Sequence, residues 1–392
     1  MKKIALFTGS RAEFSLQLPL LKRLKASKEY EVALLIGASH LDSDYGETVS
    51  EIVESGFDSK YQINFNHSKD DLSSNPQTIS IGITLISKEL EHIKPDYFII
   101  YGDRYETFAA AIASSQMGIP TIHIEGGDVT EGGTFDDSVR HAITKLSHIH
   151  LATNELSKNR IIKMGEESKR VFNVGLPIID LIKNKDFTNG KDVVKKYNLE
   201  NYDNLIIFTQ HSIPIEINNI EKEFKEIISS FQKIKIKDLK IICTYPNSDI
   251  GGKKIIDILN QWEKTYDNIS VFKSLGRRDL HGLLNLNNIT SDKNVIFIGN
   301  SSSAIKEAPY LNCPSLILGS RQNGRLHSSS VYFTDIESES ISNNIDLLFD
   351  NVKLNQSKNE ENYYGEGNMA GQTLTILNNL PSRKELLLKK FN

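Results

Sequence analysis

The hydrophobic residues of this chain occur in short continuous runs separated by longer amphipathic segments. In the first half, the apolar runs are rich in β-branched residues and end near Gly, Asp or Asn: KIALFTG, YEVALLIGAS, DYFIIYGD, PTIHIEGG, HIHLATN and RVFNVGLP. Runs of this kind are typical of strands buried on both faces of a parallel sheet. The segments between them, such as FSLQLPLLKRLKAS and YETFAAAIASSQMG, have helical spacing. The alternation predicts a doubly wound α/β sheet.

A second series of apolar runs begins after a polar stretch at 182–203: NLIIFTQ, LKIICTYP, NISVFKS, NVIFIGN and PSLILGS. We therefore predict two Rossmann-like, doubly wound parallel-sheet domains that face a central cleft. The N-terminal domain is predicted to span 1–180 and to be completed by a C-terminal helical segment at 371–392. The C-terminal domain is predicted at 181–370, and its polar tail at 355–371 is predicted to be a surface loop.

Length and composition narrow the class of protein. A chain of 392 residues suits two domains, and 39% hydrophobic with 24% charged residues is typical of a globular protein. The net charge of -4 gives no general attraction to nucleic acid or to an anionic membrane. The N-terminal apolar run is too short for a signal peptide, and no run approaches the roughly 20 residues of a membrane span. We expect a cytoplasmic protein without nucleic-acid or membrane partners.

The two cysteines, Cys243 and Cys313, each lie in an apolar stretch that ends near a turn. We predict buried free thiols, because their spacing does not match a metal site and nothing supports a bridge. No redox or metal-binding motif is visible in the sequence, so neither a cofactor nor a metal is predicted.

Ligands of open α/β sheets bind at the carboxyl ends of the strands, where two turns have phosphate-binding character. In TGSRAEFSL, Gly9 permits a tight turn before a helix N-terminus and Arg11 adds a cation. The turn lacks the G-x-G-x-x-G fingerprint, which disfavours a dinucleotide, and an ordinary strand–helix turn with a surface arginine fits equally well.

The second turn, GNSSSAIKE, carries the stronger signal. Gly299 is followed by Ser301, Ser302 and Ser303 at a predicted helix start, where hydroxyl and backbone donors suit a diphosphate. Glu307 is expected about one turn inside that helix, placed to accept from the hydroxyls of a ribose. Simple N-capping is the alternative, although one serine would suffice for it.

Acidic residues follow two strands of the first domain. Asp103 ends DYFIIYGD, where it could equally cap the next helix. Glu125 in HIEGGD precedes two glycines that let the backbone approach a ligand, and a carboxylate there has no obvious structural task.

Further candidates lie in FDDSVRHA and in the second domain. Asp136 begins a predicted helix that carries Arg140 and His141 one turn later, although Asp137 or Ser138 could provide the cap. Three more residues follow strands of the second domain and could reach the cleft or serve only structure: His211, Arg321 and Arg325.

Over nearly its whole length, the chain resembles the hydrolysing UDP-N-acetylglucosamine 2-epimerase family. Seven motifs carry the resemblance, in this order: TGSRAEF, YGDR, HIEGGD, FDDSVRHAITKLSH, TYPNSD, GNSSSAIKE and GSRQNGR. Non-hydrolysing relatives typically carry H-R-x-E-N and S-G-G-x-Q-E, where this chain has HSIP and SSSAIKE. The difference indicates the hydrolysing branch.

The resemblance implies a GT-B-like fold and conversion of UDP-N-acetylglucosamine to UDP and free N-acetylmannosamine, for sialic acid synthesis, through elimination to 2-acetamidoglucal and hydration. It implies Asp103, Glu125, Asp136 and His211 as catalytic residues, without assigning which carboxylate is the base. The predicted substrate- and nucleotide-binding residues are Gly9, Arg11, Arg140, His141, Asn247, Gly299, Ser301, Ser302, Ser303, Glu307 and Arg321. A homodimer or homotetramer is expected.

Three alternatives remain open. The same reaction could act on a nucleotide-linked 2,4-diacetamido-2,4,6-trideoxyhexose of a legionaminic acid pathway. A GT-B glycosyltransferase would use the same nucleotide grip but needs no cluster of acids for C2 deprotonation. A non-catalytic nucleotide-sugar binding protein is the third possibility.

Overall fold

The computed structural model describes residues 1–41, 48–64, 74–129, 136–247, 251–289, 292–353 and 363–390. The strands are β1 (Lys2–Thr8), β2 (Tyr30–Gly37), β3 (Tyr61–Ile63), β4 (Tyr97–Tyr101), β5 (Thr121–Ile124), β6 (Ile149–Ala152), β7 (Val171–Asn173), β8 (Asn204–Thr209), β9 (Leu239–Thr244), β10 (Ile269–Phe272), β11 (Asn294–Gly299), β12 (Ser315–Leu318) and β13 (Val331–Thr334). The helices are α1 (Arg11–Ala26), α2 (Val49–Glu54), α3 (Ser74–Ile93), α4 (Tyr105–Gln116), α5 (Asp136–Leu146), α6 (Glu155–Lys163), α7 (Pro177–Lys183), α8 (Gly190–Lys196), α9 (Ile220–Lys233), α10 (Gly252–Thr265), α11 (Gly276–Leu284), α12 (Leu286–Ile289), α13 (Ser303–Lys306), α14 (Ser338–Lys353), α15 (Met369–Asn378) and α16 (Arg383–Leu387).

The chain divides into two compact units, each built on one parallel sheet. Unit 1 comprises Met1–Asp128, Phe135–Asp180 and Tyr364–Asn392, and unit 2 comprises Val129–Thr134 and Leu181–Tyr363. The sheet of unit 1 has the order β3-β2-β1-β4-β5-β6-β7, and that of unit 2 the order β10-β9-β8-β11-β12-β13. The predicted pair of doubly wound parallel sheets is thus confirmed.

Helices cover both faces of the unit 1 sheet, which explains why its strands are continuous apolar runs. Ile4 and Leu6 of β1 belong to a hydrophobic cluster that includes residues of α1, α15 and α16. Ala5 and Phe7 point to the opposite face and pack with residues of α3 and α4. Because successive side chains of a strand alternate between faces, a strand covered on both sides must be apolar throughout.

Two strands, β3 and β13, are absent from the sequence prediction. Each lies at an edge of its sheet. Within β3 only Ile63 is buried, and within β13 only Val331. Edge strands are short and partly solvated, so they lack the apolar run on which the prediction relied.

The C-terminal segment packs on unit 1 through buried polar contacts. The carboxylate of Asp180 accepts the backbone N–H groups of Met369 at 2.8 Å and Ala370 at 2.9 Å, which satisfies the start of α15. The guanidinium of Arg170 donates to backbone carbonyls in and after α16, among them Leu386 at 2.7 Å. These contacts satisfy both orphan donors and orphan acceptors of the two helices.

A buried carboxylate fixes the residues after α16. Glu166 is fully buried, and Lys145 and Lys389 lie 2.6 Å and 2.7 Å from its oxygens. The ring of His150 lies 3.0 Å away. A buried charge is tolerated only when it is paired, so this cluster ties the end of the described chain to unit 1.

Three further predictions concern the cysteines, the apolar character of the helices and the polar tail. Cys243 and Cys313 are buried free thiols, as predicted. Within the described ranges, none of the helices combines the length and apolar character that crossing a bilayer requires. Of the tail predicted to be a surface loop at 355–371, residues 355–362 lie outside the described residues. The prediction is wrong for the end of the described part, where Tyr364, Met369 and Ala370 are buried and α15 begins at Met369.

We expect Asp180→Ala to lower the free energy of unfolding by about 2 kcal/mol, because it leaves two buried backbone N–H groups without an acceptor. Urea unfolding followed by circular dichroism measures the change. Asp346→Ala, on the exposed face of α14, is the control and should shift stability by less than about 0.5 kcal/mol. Equal effects of the two substitutions would show that Asp180 does not anchor α15.

Candidate active site

The turns after β4 and β5 lie side by side at one edge of the unit 1 sheet. The N–H of Gly102 donates to the carbonyl of Ile124 at 3.0 Å, which ties the two turns together. Gly102 has φ +76° and Gly127 has φ +74°, a conformation that glycine adopts without penalty. The sequence therefore folds here into two tight turns that direct Asp103 and Glu125 to the same edge.

The two glycines of HIEGGD are required by close packing. A Cβ on Gly127 would overlap the carbonyl oxygen of Ser157. A Cβ on Gly126 would lie 2.9 Å from both His123 Nδ1 and Thr144 Oγ1. The chain can therefore turn sharply directly after Glu125 only because both positions lack a side chain.

Glu125 itself occupies the left-handed region, with φ +66°. Such a conformation costs a non-glycine residue energy and is typical of functional sites. The hydroxyl of Tyr101 donates to Glu125 Oε2, and the Glu125 N–H donates to the Leu151 carbonyl at 3.0 Å. Burial and the neighbouring carboxylate raise the pKa of Tyr101 well above its usual range, so the phenol remains a donor. Tyr101 was not among the residues predicted from the sequence.

His123 supports the turns from below. Its Nε2 lies 2.8 Å from the Gly102 carbonyl and its Nδ1 lies 3.1 Å from Thr144 Oγ1. A carbonyl only accepts, so Nε2 carries the proton and Nδ1 accepts from the threonine hydroxyl. Burial lowers the pKa of His123 to about 3, and the ring is neutral at physiological pH. Its role is to hold the turn that precedes Asp103.

A buried cation, Arg140, lies at the centre of the acidic residues. Its side chain is 5% exposed and donates to Asp103 Oδ2 and, at 3.0 Å, to Asp137 Oδ1. Burial alone would lower the pKa of this guanidinium, but the surrounding carboxylates outweigh it and raise the pKa. The carboxylates that exert this effect are Asp103, Asp128, Glu125 and Asp137.

Several predicted residues are placed by this cluster. Asp103 and Asp137 are 23% and 25% exposed, so both carboxylates are open to solvent above the buried Arg140. His141 is half-buried, and burial lowers its pKa. Asp136 begins α5, but its side chain, like that of Arg11 in α1, lies outside the described residues.

Glu13 is a further acid that the sequence analysis missed. The Ser10 hydroxyl accepts from the Glu13 N–H at 3.3 Å, and Glu13 Oε2 accepts from the Gly9 N–H at 2.7 Å. The S-x-x-E spacing of a capping box was the signal that could have revealed it. The Glu13 carboxyl therefore closes the turn that Gly9 begins.

Burial raises the pKa of Glu13 to about 7. Arg104 lowers this pKa, whereas the carboxylates of Glu106 and Asp103 raise it. The Arg104 guanidinium is bound to Glu106 at 3.0 Å and 3.1 Å, so it compensates Glu13 incompletely. Unit 1 therefore contains a buried carboxyl that titrates near neutral pH beside the acidic cluster.

In unit 2, Asn300 joins the ends of β8 and β11. Its side chain accepts from the His211 N–H at 2.7 Å and donates to the His211 carbonyl at 2.9 Å. Its own carbonyl accepts from Gln322 at 2.7 Å and from Arg321 at 3.2 Å. Gly299 has φ +129°, and a Cβ there would overlap the Thr209 carbonyl oxygen. The predicted residues His211, Gly299 and Arg321 thus meet around one amide that the sequence analysis did not single out.

The ring of His211 has a defined tautomer. The backbone N–H of Asn247 donates to Nδ1 at 3.0 Å, so the proton of the neutral ring is on Nε2. Burial and then the positive charge of Arg321 lower the pKa of His211 to about 3. His211 can therefore donate one hydrogen bond to a ligand, but it cannot offer a positive charge.

The segment Ser301–Ser303, called the serine segment below, differs from the prediction in one respect. The helix after Ser302 is a single turn, Ser303–Lys306, so Glu307 follows it instead of lying inside it. Glu307 accepts from Ser303 Oγ at 2.7 Å and from His281 Nε2 at 2.6 Å. Burial raises the pKa of Glu307, but these two donors, His281 first, lower it below its usual range. The carboxylate is ionised and held from both sides.

A cavity of about 230 Å³ lies at the carboxyl ends of β8, β9 and β11. Its lining includes His211, Lys273, Gly276, Arg277, Leu280 and Ser301. Arg325 does not line this cavity; its Nε donates to the Val129 carbonyl at 2.9 Å. Among the described residues, no group of three or more His, Cys, Asp or Glu side chains is arranged to hold a metal ion.

The raised pKa of Glu13 predicts a pH dependence of stability. Between about pH 4.5 and 7 the folded protein keeps a proton on Glu13 that the unfolded chain releases. The stabilisation is therefore complete below pH 4.5 and is lost as the pH rises through about 7. Glu13→Gln cannot ionise, so it should gain about 2–3 kcal/mol relative to wild type between pH 4.5 and 8, measured by urea unfolding. Glu54→Gln, at an exposed position, is the control; a Glu13→Gln difference that stays constant with pH would contradict the assignment.

Comparisons with known proteins place this geometry in a family. The family model for UDP-N-acetylglucosamine 2-epimerase matches residues 22–378. A GDP/UDP-N,N'-diacetylbacillosamine 2-epimerase (hydrolyzing) of Campylobacter jejuni is 32% identical, over 91% of this chain and 89% of the relative. A UDP-N,N'-diacetylbacillosamine 2-epimerase (hydrolyzing) of Legionella pneumophila is 33% identical over 99% of both chains. A UDP-N-acetylglucosamine 2-epimerase of Neisseria meningitidis is 32% identical, over 87% of this chain and 86% of the relative.

Solved structures share the fold. A Neisseria meningitidis UDP-GlcNAc 2-epimerase bound to UDP-GlcNAc superposes with a TM-score of 0.76 and 22% identity, over 97% of this chain and 100% of that chain. A Methanocaldococcus jannaschii UDP-GlcNAc 2-epimerase in complex with UDP-GlcNAc and UDP gives a TM-score of 0.75 at 20% identity, over 96% and 99%. Both the predicted GT-B-like fold and the resemblance drawn from the motifs are confirmed. The chain belongs to the UDP-N-acetylglucosamine 2-epimerase family.

Proposed function

We propose that this protein is a hydrolysing 2-epimerase, which converts a UDP-linked 2-acetamido sugar to UDP and the free sugar inverted at C2. The observation that carries the proposal is the group of carboxylates around buried Arg140, with Glu125 held in a left-handed turn beside it. A cluster of acids at strand ends suits proton removal and return at carbon. Nucleotide binding alone would not need it.

The chemistry makes two demands that such a cluster meets. The C2–H of a sugar with a closed acetal is barely acidic, so a carboxylate removes it only as the C1–O bond to UDP breaks. The electron pair of C2–H forms the C1=C2 double bond, and the pair of the C1–O bond leaves with UDP. A base then takes one proton from water as the water oxygen bonds to C1, and an acid returns a proton to C2. One base and one acid are therefore needed at neutral pH.

We assign the base and acid roles to the set Asp103, Glu125 and Asp136. Glu125 receives a hydrogen bond from Tyr101, and Asp103 is paired with Arg140, so these two carboxylates have different environments. Two carboxylates with different hydrogen-bond partners suit the separate tasks of an acid and a base. Arg140 is proposed to orient Asp103, and His141 to contact the sugar.

We assign the nucleotide to unit 2. The hydroxyls of Ser301 and Ser302 are proposed to donate to the diphosphate, and Arg321, which contacts the Asn300 carbonyl, adds a positive charge beside them. His211 is proposed to donate its Nε2–H to an oxygen of the diphosphate. Its Nδ1 accepts from Asn247, so the proton of the neutral ring is on Nε2. Leaving-group stabilisation of this kind lowers the barrier for departure of UDP.

Two sugars are candidates for the sugar group of the substrate. The motifs alone put UDP-N-acetylglucosamine first. The relatives of Campylobacter jejuni and Legionella pneumophila, at 32% and 33% identity, are named for N,N'-diacetylbacillosamine, a 2,4-diacetamido-2,4,6-trideoxyhexose. We therefore propose UDP-N,N'-diacetylbacillosamine as the first substrate and UDP-N-acetylglucosamine as the second, since the Neisseria meningitidis relative is equally similar.

Incubation of the purified protein with each UDP-sugar in deuterium oxide tests the proposal. We expect UDP and a free sugar with inverted C2, carrying one deuterium at C2, because the proton is removed and then returned from solvent. Mass spectrometry and proton NMR measure both. Release of a sugar without deuterium would contradict elimination, and transfer to an added acceptor would favour a glycosyltransferase.

Glu125→Gln is the matched variant for this assay. It preserves the size of the side chain and an acceptor for the Tyr101 hydroxyl, but it cannot take up a proton. We expect turnover to fall by at least a hundredfold while UDP binding, measured by calorimetry, changes less than threefold. Unchanged turnover would remove Glu125 from the mechanism.

A further inference from the structure

His281 of α11 makes an isolated polar contact inside unit 2. The residue is fully buried, and its Nε2 lies 2.6 Å from Glu307 Oε2. The other oxygen of Glu307 accepts from Ser303 at 2.7 Å. The carboxylate is therefore held by one donor from α11 and one from the serine segment.

The tautomer of His281 follows from its partners. A carboxylate accepts hydrogen bonds, so Nε2 carries the proton. Among the described residues, the buried Nδ1 has no hydrogen-bond partner. A buried acceptor without a donor costs stability, whereas His123 uses both of its ring nitrogens. The hydrogen bond to Glu307 is thus the polar contact that the described residues give the His281 ring.

The helix that carries His281 is fixed on its opposite side. Asp279 accepts from three side chains of the preceding segment, Thr188, Lys196 and Tyr197. A Cβ on Gly282 would overlap the carbonyl oxygen of Thr188, so the backbones pack in direct contact. Because α11 cannot shift or rotate without breaking these contacts, the position of the His281 ring is set in advance.

The same two segments form walls of the cavity at the strand ends. Gly276, Arg277 and Leu280 of α11 line it, and Ser301 of the serine segment lines it as well. The His281–Glu307 bond therefore connects the two segments that enclose the cavity. A carboxylate offers about four lone-pair positions, of which His281 and Ser303 occupy two.

We propose that His281 is a positioning residue for nucleotide binding: its Nε2–H orients Glu307 so that the free lone pairs of the carboxylate accept from the vicinal hydroxyls of a ribose. The inference rests on the proposed function, which assigns the nucleotide to unit 2. His281 does not itself touch the nucleotide and acts through Glu307.

Two substitutions of His281 distinguish a donor at the position of Nε2 from one at the position of Nδ1. The side-chain amide of glutamine extends to the position of Nε2, whereas that of asparagine ends near Nδ1. We expect His281→Asn to raise the Kd for UDP about tenfold, and His281→Gln to stay within about threefold of wild type. Isothermal titration calorimetry on the full chain measures both, and KM for the UDP-sugar should rise in parallel while kcat is unchanged.

A nucleotide without the hydroxyls provides the specificity control. For 2′,3′-dideoxyuridine diphosphate, the Kd values of the His281→Asn and wild-type proteins should differ by less than threefold. This nucleotide lacks the ribose hydroxyls from which Glu307 would accept hydrogen bonds. His148→Gln, a substitution of a buried histidine in unit 1, should lower Tm without changing UDP affinity. A purely structural role of His281 would instead weaken both nucleotides equally.

The outcomes distinguish this inference from the proposed function. Unchanged UDP affinity in His281→Asn, or an equal loss in His281→Gln, would overturn the inference while leaving the function intact. A wild-type protein that does not bind UDP would overturn the function and the inference with it. Should His281→Asn fail to fold, His281→Phe keeps a ring at this position without the Nε2–H donor, and unchanged discrimination between UDP and its dideoxy analogue would overturn the inference.

Discussion

The acidic edge of unit 1 depends on one buried guanidinium. Four carboxylates act on Arg140, and their mutual repulsion at one sheet edge would be severe without a cation among them. Arginine suits this task because its planar head binds two carboxylates at once and stays charged when buried. Asp103 and Asp137 both bind this guanidinium and are partly open to solvent.

Backbone geometry sets where these charges lie. Successive tight turns after β4 and β5 place Asp103 and Glu125 at one edge, and Glu125 is held in a conformation that most residues avoid. Close packing around the turn offsets the cost of this conformation, because Gly126 and Gly127 let the chain pass close to His123 and Ser157. The same logic recurs in unit 2, where Gly299 lets β11 end against Thr209 and Asn300 fixes His211.

Buried strands were predictable because parallel sheets covered on both faces require continuous apolar runs. The edge strands β3 and β13 were not, since only one residue of each is buried. Glu125 was predictable as a candidate because no structural task explained it. Glu13 could have been found from its capping spacing, but its raised pKa depends on burial that sequence does not show. Tyr101, Asn300 and His281 contact partners 24, 89 and 26 residues away, and such pairs appear only in the folded chain.

A double-mutant cycle between Arg140 and Asp103 tests the central claim most directly. Urea unfolding of Arg140→Gln, Asp103→Asn and the double variant gives the coupling free energy between the two side chains. If Arg140 compensates the acidic cluster, removing it should destabilise the protein by about 3 kcal/mol, and Asp103→Asn should recover much of that loss. We therefore expect a coupling of at least about 2 kcal/mol. A coupling below about 0.5 kcal/mol would show that the carboxylates lie together without depending on Arg140.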